Sequence, residues 1–159
     1  MSATEADFAD YFRQHHPDVV RFVVRRINDR EVAMEIASDV FRITWRAHRE
    51  RELPDRGWLF ATARNLIGNE YRRRKRVRAL VEKAAASVIP DNPTDDDGRI
   101  AAVLARLPER HAEVLRLAYW DELSGEEMAT VLGCSANAVW IRLTRARSAA
   151  QKILEVLDA

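Results

Sequence analysis

The stretch from Leu123 to Leu143, LSGEEMATVLGCSANAVWIRL, restricts what this chain can fold into more than any other part of it. Ser124 can cap a helix, and Glu127 three residues on can close a capping box. Met128, Ala129 and Leu132 then recur at helical spacing. Gly133 follows, where a left-handed, helix-ending backbone costs a residue without Cβ least. Ser135 can cap a second helix, whose inner face would be Val139, Leu143 and Ala146. The segment predicts two helices, the first about two turns long, joined by a short turn with glycine first: a helix-turn-helix. Ala129 suits that reading, because closely crossing helices need a small residue where they touch. The second helix carries Arg142, Arg145, Arg147 and Lys152, with no acid from Ala136 to Ile153. Such a helix suits the major groove of DNA, with its cations near the phosphates. A plain helical hairpin in a core satisfies the same pattern.

The remainder of the chain points to helices as well. Glycine and proline number only five each in 159 residues, which disfavours a strand-and-turn protein. Hydrophobic residues make up 47% and charged residues 32%, enough for globular cores with a soluble surface. No run of about 18 apolar residues occurs, so no membrane insertion is expected. The N-terminus, MSATEADFADYF, is acidic and lacks the basic region of a secretory signal. Cys134 is the single cysteine, which excludes an internal disulfide framework and a multi-cysteine zinc site. A reducing cytoplasm is the expected compartment, and Cys134 reads as a small filler in the turn.

The net charge of +1 conceals an asymmetry. Residues 1–83 hold 18 Lys and Arg against 13 Asp and Glu, and residues 84–159 hold 8 against 12. Eight of the cations lie between Arg64 and Lys83. Two basic patches separated by an acidic stretch predict contact with nucleic acid at two places rather than general polyanion binding.

The apolar spacing divides the chain into an all-α protein of two small bundles joined by a flexible acidic linker. Phe8 and Phe12 open a first helix. Val19, Val23 and Ile27 continue after Pro17, which suits the first turn of a new helix. Asn28-Asp29 breaks the pattern and can cap a third stripe of Val32, Ile36, Val40 and Ile43, joined by Phe41 and Trp45. His48 to Arg56 (HRERELPDR) reads as a loop. Trp58 opens a fourth helix, with Leu59, Ala63 and Leu66 inward, running into Tyr71 and the basic run Arg72 to Arg76. This gives a four-helix bundle over residues 1–83. Residues 84–99 (AAASVIPDNPTDDDGR) have two prolines, a triple aspartate and little periodicity, and read as the linker. Residues 100–159 form the second bundle. Ile100, Val103, Leu104 and Leu107 lead to Pro108, which can sit in the first turn of the next helix, with Val114, Leu115 and Ala118 inside. The helix-turn-helix completes it.

Two stretches resemble one family. DVFRITWR (Asp39 to Arg46) with WLFATARNLIGNEYRRRKR (Trp58 to Arg76) is similar to region 2 of the sigma-70 family. LARLPERHAEVLRLAYWDELSGEEMATVLGCSANAVWIRLTRAR (Leu104 to Arg147) is similar to region 4. The order and the acidic spacer resemble an extracytoplasmic-function (ECF) sigma factor, the compact type with regions 2 and 4 only.

The resemblance implies an RNA polymerase sigma factor that directs promoter-specific initiation through −10 and −35 elements. Its implied partners are core RNA polymerase (the beta and beta-prime subunits), promoter DNA and an anti-sigma factor. Glu35, Ser38, Asp39, Arg42 and Arg46 recur at three- and four-residue steps and would form a core-polymerase contact, or simply a solvated face. Many family members carry glutamine where this chain has Ser38. The loop before Trp58 matches the part that captures an unstacked −10 base. Arg49, Arg51 and Arg56 could meet phosphates there, with Leu53 and Pro54 as an apolar wall. Trp58 either stacks on DNA or belongs to the core. Arg64, Asn65, Arg72, Arg73 and Arg76 would clamp the DNA backbone.

Region 4 would read the −35 element. With Val139, Leu143 and Ala146 inward, the outward row is Asn137, Trp140, Ile141, Thr144 and Arg145. Arg145 could pair with guanine edges or a phosphate, Asn137 with adenine or a phosphate. Trp140 and Ile141 could touch thymine methyls or the backbone, and Trp140 could instead pack on a partner protein. Arg142 and Arg147 lie to the sides and suit phosphates, and Ser135, at the start of the helix, is counted with them among the −35 contacts. The linker's Asp91 and Asp95 to Asp97 would mimic nucleic-acid charge in the polymerase cleft, or act only as a self-repelling tether.

Nothing calls for catalysis by the chain itself. His15, His16, His48 and His111 lack metal-site spacing, and there is no GxSxG, phosphate-cradling glycine loop or CxxC. No catalytic residue, cofactor or metal is expected. The competing class is an ordinary DNA-binding regulator that binds duplex alone.

Overall fold

Side-chain caps set most of the helix starts. The computed structural model describes residues 3–81 and 95–159, with backbone only at 95–97. Among them are seven α-helices, one π-helical turn and no strand. The chain divides into two compact units, Met1–Val88 and Ile89–Ala159.

The first unit is built from α1 (Glu5–Val24), α2 (Arg30–His48) and α3 (Arg56–Val81), each packed on the other two. Thr4 and Asp7 form a capping box at the start of α1, and Asp29 caps α2 through a 3.2 Å bond from the Val32 amide. Three helices stand here rather than the expected four, because α1 runs straight through Pro17. An interior proline costs about 3 kcal/mol. Val19, Phe22 and Val23 just beyond it are all buried, and each such side chain contributes about 1.5–3 kcal/mol. Burial wins, and the helix continues.

The core of this unit is Val19, Phe22, Val23, Ile27, Ile36, Val40, Phe41, Leu59, Phe60, Ala63 and Ile67. Two inward assignments need correction. Ile43 is 39% exposed, while Thr44 is fully buried and donates its hydroxyl to the Val40 carbonyl at 2.7 Å. That bond satisfies the one polar group of Thr44, so it packs as a small β-branched residue. Leu66 is half-buried, and Phe60 and Ile67 take the deep positions. α3 also starts two residues earlier than expected, with Asp55 accepting from the Trp58 amide at 3.2 Å.

The second unit contains α4 (Asp95–Arg106), α5 (Glu109–Leu115), the π turn Arg116–Trp120, α6 (Gly125–Leu132) and α7 (Ala136–Asp158). α7 packs against α4, α5 and α6 and so organises the unit. α4 begins at Asp95, so the last five residues of the stretch read as linker are helical. Acids suit a helix start as well as they suit a tether, since the helix dipole favours negative charge there. The rest of the acidic stretch, including Asp91, lies outside the described residues. Pro108 caps α5 from outside, at φ −54° and ψ 144°, rather than sitting in its first turn.

The π turn departs from the expected regular helix. The Asp121 amide reaches back to the Arg116 carbonyl at 3.1 Å, five residues away. Val114 and Leu115 are buried as expected, but this wider turn buries Leu117 in place of Ala118, which is half-buried. The helix-turn-helix itself forms as read. Ser124 and Glu127 exchange capping bonds of 3.1 and 2.9 Å, and the Ala138 amide donates to Ser135 Oγ at 3.0 Å. Gly133 ends α6 at φ 66°, where a side chain would cost roughly 1–2 kcal/mol. Val139, Leu143 and Ala146 are all buried. In α6 the second buried position is Val131 rather than Leu132.

Candidate nucleic-acid and polymerase interfaces

On α7 the buried stripe leaves the opposite face in solvent. Asn137, Trp140, Ile141, Thr144 and Arg145 are all exposed, and Trp140 most tellingly, at 64%. With Ile141 beside it at 38% exposure, this large apolar ring on a cationic helix makes the face a candidate contact surface. Thr144 donates its hydroxyl to the Trp140 carbonyl at 2.9 Å, so it faces outward chiefly with its methyl and its acceptor lone pairs. Arg142 is exposed on the flank. Arg147 is also exposed but not loose. Its Nε donates to Tyr119 Oη at 2.6 Å, and its guanidinium carbon lies 5.5 Å from the Tyr119 ring centre. Ser135 spends its hydroxyl oxygen on the cap.

On α2 the residues Glu35, Asp39, Arg42 and Arg46 follow steps of four, three and four, giving one stripe beside Ser38. Asp39 and Arg42 form an ion pair at 2.6 Å, so part of the patch is neutralised internally. Ile43 stands four residues after Asp39 and brings an exposed apolar side chain to this face, although its spacing suggests the interior. A signal for the exchange exists: Thr44 satisfies the same helical spacing if its hydroxyl bonds the backbone.

The loop Arg49–Asp55 separates α2 from α3 and is tied down at two points. Tyr11 Oη donates to the Pro54 carbonyl at 2.9 Å, and the Ala3 amide donates to the Arg51 carbonyl at 3.1 Å. Burial, with the nearby charge of Asp55, pushes the Tyr11 hydroxyl up, so it stays a donor at any ordinary pH. Leu53 and Pro54 are half-buried, and Arg49 and Arg51 project outward. Arg56 is half-buried, its guanidinium carbon 5.1 Å from the Phe60 ring centre, and so serves the core as well as the loop. Trp58 is half-buried with its ring edge-on to His48, 4.8 Å between centres.

Beyond Ile67 no residue of α3 is buried. Asn65, Arg72 and Arg76 fall on one face at steps of seven and four, spanning roughly 17 Å. Arg64 is half-buried, and Arg72 is bonded to Asn69. Arg73 is engaged by Glu70 through two bonds of 3.0 and 2.7 Å, and Arg74 by the same carboxylate at 3.0 Å. Nothing in the spacing of the basic run distinguishes Arg74 in this way. The loop cations and the distal arginines are thus not one pocket, since Arg56 and Arg76 lie about 30 Å apart along the helix.

The hydrogen bonds from Arg73, then Arg74, hold the Glu70 carboxyl at about 2, against its ordinary 4.5. A carboxyl lowered in the folded state stabilises the fold above its unfolded value, and that share is lost as pH falls. Between about pH 4.5 and 2, the thermal midpoint of the chain is expected to fall further than that of Glu70→Gln. The gap between the two midpoints should be widest above pH 5 and close near pH 2; an unchanging gap would refute it.

Among the described residues no group of His, Cys, Asp and Glu is arranged to hold a metal, and no helix is long and apolar enough to cross a membrane. The geometry defines a class: a two-unit helical protein with a helix-turn-helix in one unit and a cationic helix beside a pinned loop in the other.

Comparison with known proteins makes the class specific. A profile described as Sigma-70 region 2 matches residues 11–77, and one described as Sigma-70, region 4 matches residues 97–149. The chain is 30% identical over 168 residues to the ECF RNA polymerase sigma factor SigL of Mycobacterium tuberculosis, covering 98% of this chain and 94% of that one. It is 28% identical to the RNA polymerase sigma factor YlaC of Bacillus subtilis, covering 87% and 86%. Among solved structures it resembles the sigma factor RpoE in complex with the anti-sigma factor NepR from Bartonella quintana. There the TM-score is 0.69 and the identity 22%, over 94% of this chain and 98% of that one. CnrH in complex with the cytosolic domain of CnrY gives a TM-score of 0.67 at 24% identity, over 97% and 91%. The chain belongs to the ECF sigma factors of the sigma-70 family, initiation factors of RNA polymerase.

Proposed function

We propose that the two units divide promoter recognition between them. Residues 1–83 dock on the beta and beta-prime subunits of core polymerase through the α2 stripe of Glu35, Ser38, Asp39, Arg42 and Arg46. The same unit captures melted −10 DNA with the pinned loop and α3. Residues 100–159 place α7 in the major groove of the −35 element. The stretch from residue 84 to the start of α4 at Asp95 acts as the tether, charged like nucleic acid where it passes the polymerase cleft. The chain makes no bonds itself, needs no cofactor and works in the cytoplasm. An anti-sigma factor that covers both units is the natural restraint, a reading supported by the similar sigma factor RpoE, whose solved structure is a complex with the anti-sigma factor NepR.

The observation that carries this reading is the exposed row Asn137, Trp140, Ile141, Thr144 and Arg145, held out by a fully buried stripe on the same helix. The test is run-off transcription by core polymerase from a related bacterium on a genomic fragment library, with and without the chain. The expected result is a set of chain-dependent transcripts sharing a two-part upstream motif. No such transcripts, together with tight sequence-specific duplex binding by the chain alone, would replace this reading with that of an ordinary regulator.

A further inference from the structure

We propose that Tyr119 is a positioning residue for DNA binding: it holds the Arg147 guanidinium at the end of the α7 reading face, so that the two side chains together grip a backbone phosphate. The proposal rests on the reading of α7 as the duplex-binding helix.

Three separate observations converge on this pair. First, the π turn Arg116–Trp120 interrupts the regular helix, and such turns cluster where a side chain must be re-aimed. The widened turn sends Leu117 inward and leaves Tyr119 57% exposed. Second, Tyr119 uses that exposure to meet Arg147, 28 residues away in sequence, by a 2.6 Å hydrogen bond and by its ring face. Third, Arg147 extends the exposed row of Trp140 and Thr144 by the helical steps of four and three. It lies roughly 10 Å along α7 from Trp140.

The chemistry of the pair fits a phosphate. Only Nε of Arg147 is used by Tyr119, which leaves the two terminal amino groups as a fork for phosphate oxygens. The Tyr119 oxygen accepts from Arg147, so its own hydrogen remains to be donated, and the adjacent cation makes it a better donor. An arginine in solvent gives up rotamer freedom when it binds. Here the ring and hydroxyl have already restricted it. Sited at the far end of the reading row from Asn137, the pair would meet the DNA backbone bordering the groove rather than a base edge. It would therefore set grip and register, not sequence.

The test is a double-mutant cycle on the holoenzyme, using the strongest promoter fragment recovered from the genomic library as probe. Wild type, Tyr119→Phe, Arg147→Ala and the double variant are compared by binding constant across a salt series. Tyr119→Phe keeps the ring and removes only the hydroxyl, so its thermal midpoint should match wild type. The expected loss is about tenfold for Arg147→Ala and about three- to tenfold for Tyr119→Phe. In the Arg147→Ala background, Tyr119→Phe should cost clearly less than it does alone, because only its own bond to the phosphate is left to lose. Arg147→Ala should also lower the salt slope by about 0.9, the signature of one lost phosphate contact. Independent, additive losses, or no loss from Tyr119→Phe, would overturn the role of Tyr119 and leave the sigma reading standing. A wild-type chain that directs polymerase to no fragment would overturn both.

Discussion

Truncating Phe60 to alanine is expected to destabilise the first unit by about 3–5 kcal/mol. The ring is 2% exposed, its centre lies 5.0 Å from that of Phe22, and the Arg56 guanidinium rests on it. Phe60 stands on α3 and Phe22 on α1. Removing the ring leaves a hole at the contact between these two helices. Domains hold about 5–15 kcal/mol in total, so the variant should lose a large share of its stability margin. Phe60→Leu should cost far less, because most of the volume remains. Urea unfolding of the two variants beside wild type checks this. Equal midpoints for Phe60→Ala and wild type would mean that the α1–α3 contact is not where the stability lies.

Arg145→Ala is the second large effect, expected at about 1–3 kcal/mol of −35 recognition. Arg145 is exposed, and among the described residues nothing engages it, in contrast to Arg147 held by Tyr119 and Arg73 held by Glu70. A guanidinium without an internal partner can give its whole fork to a base edge. If it reads guanine, the loss should fall on one −35 position and vanish on templates already changed there. The loss should persist on a template pre-melted at −10, because the contact is to duplex upstream. Run-off transcription on a set of single-base −35 variants measures both. A uniform loss on every variant would assign Arg145 to a phosphate.

What is legible in the sequence is what local chemistry determines. Ser124, Glu127, Gly133 and Ser135 specify their helix ends within a few residues, so the helix-turn-helix and the inner face of α7 can be read from the residues alone. Asp29 is readable as a cap for the same reason. What is not legible depends on contacts far along the chain or on backbone registers without a compositional mark. Pro17 signals a break, but tertiary burial just beyond it overrides the signal. Thr44 looks polar until its hydroxyl finds the Val40 carbonyl, which lets Ile43 turn outward. The π turn has no sequence signature, so helical spacing exchanges Leu117 with Ala118 and gives Tyr119 no mark. The site follows the same division. Exposed rows on single helices emerge from spacing alone, whereas pairings such as Arg147 with Tyr119 or Pro54 with Tyr11 require the fold.

The two helices proposed to face DNA differ in a way that bears on how such a protein can change over generations. On α7 the reading row and the core stripe alternate along the same few turns, so most substitutions there trade recognition against folding. On α3 the functions are spread end to end: the core ends at Ile67, and the arginines come after it. Mutations in that distal half touch no packed interior. Apart from Arg73 and Arg74, which hold Glu70, its cations can be gained, lost or exchanged almost freely, letting the proposed grip on DNA drift stepwise while the scaffold stays intact.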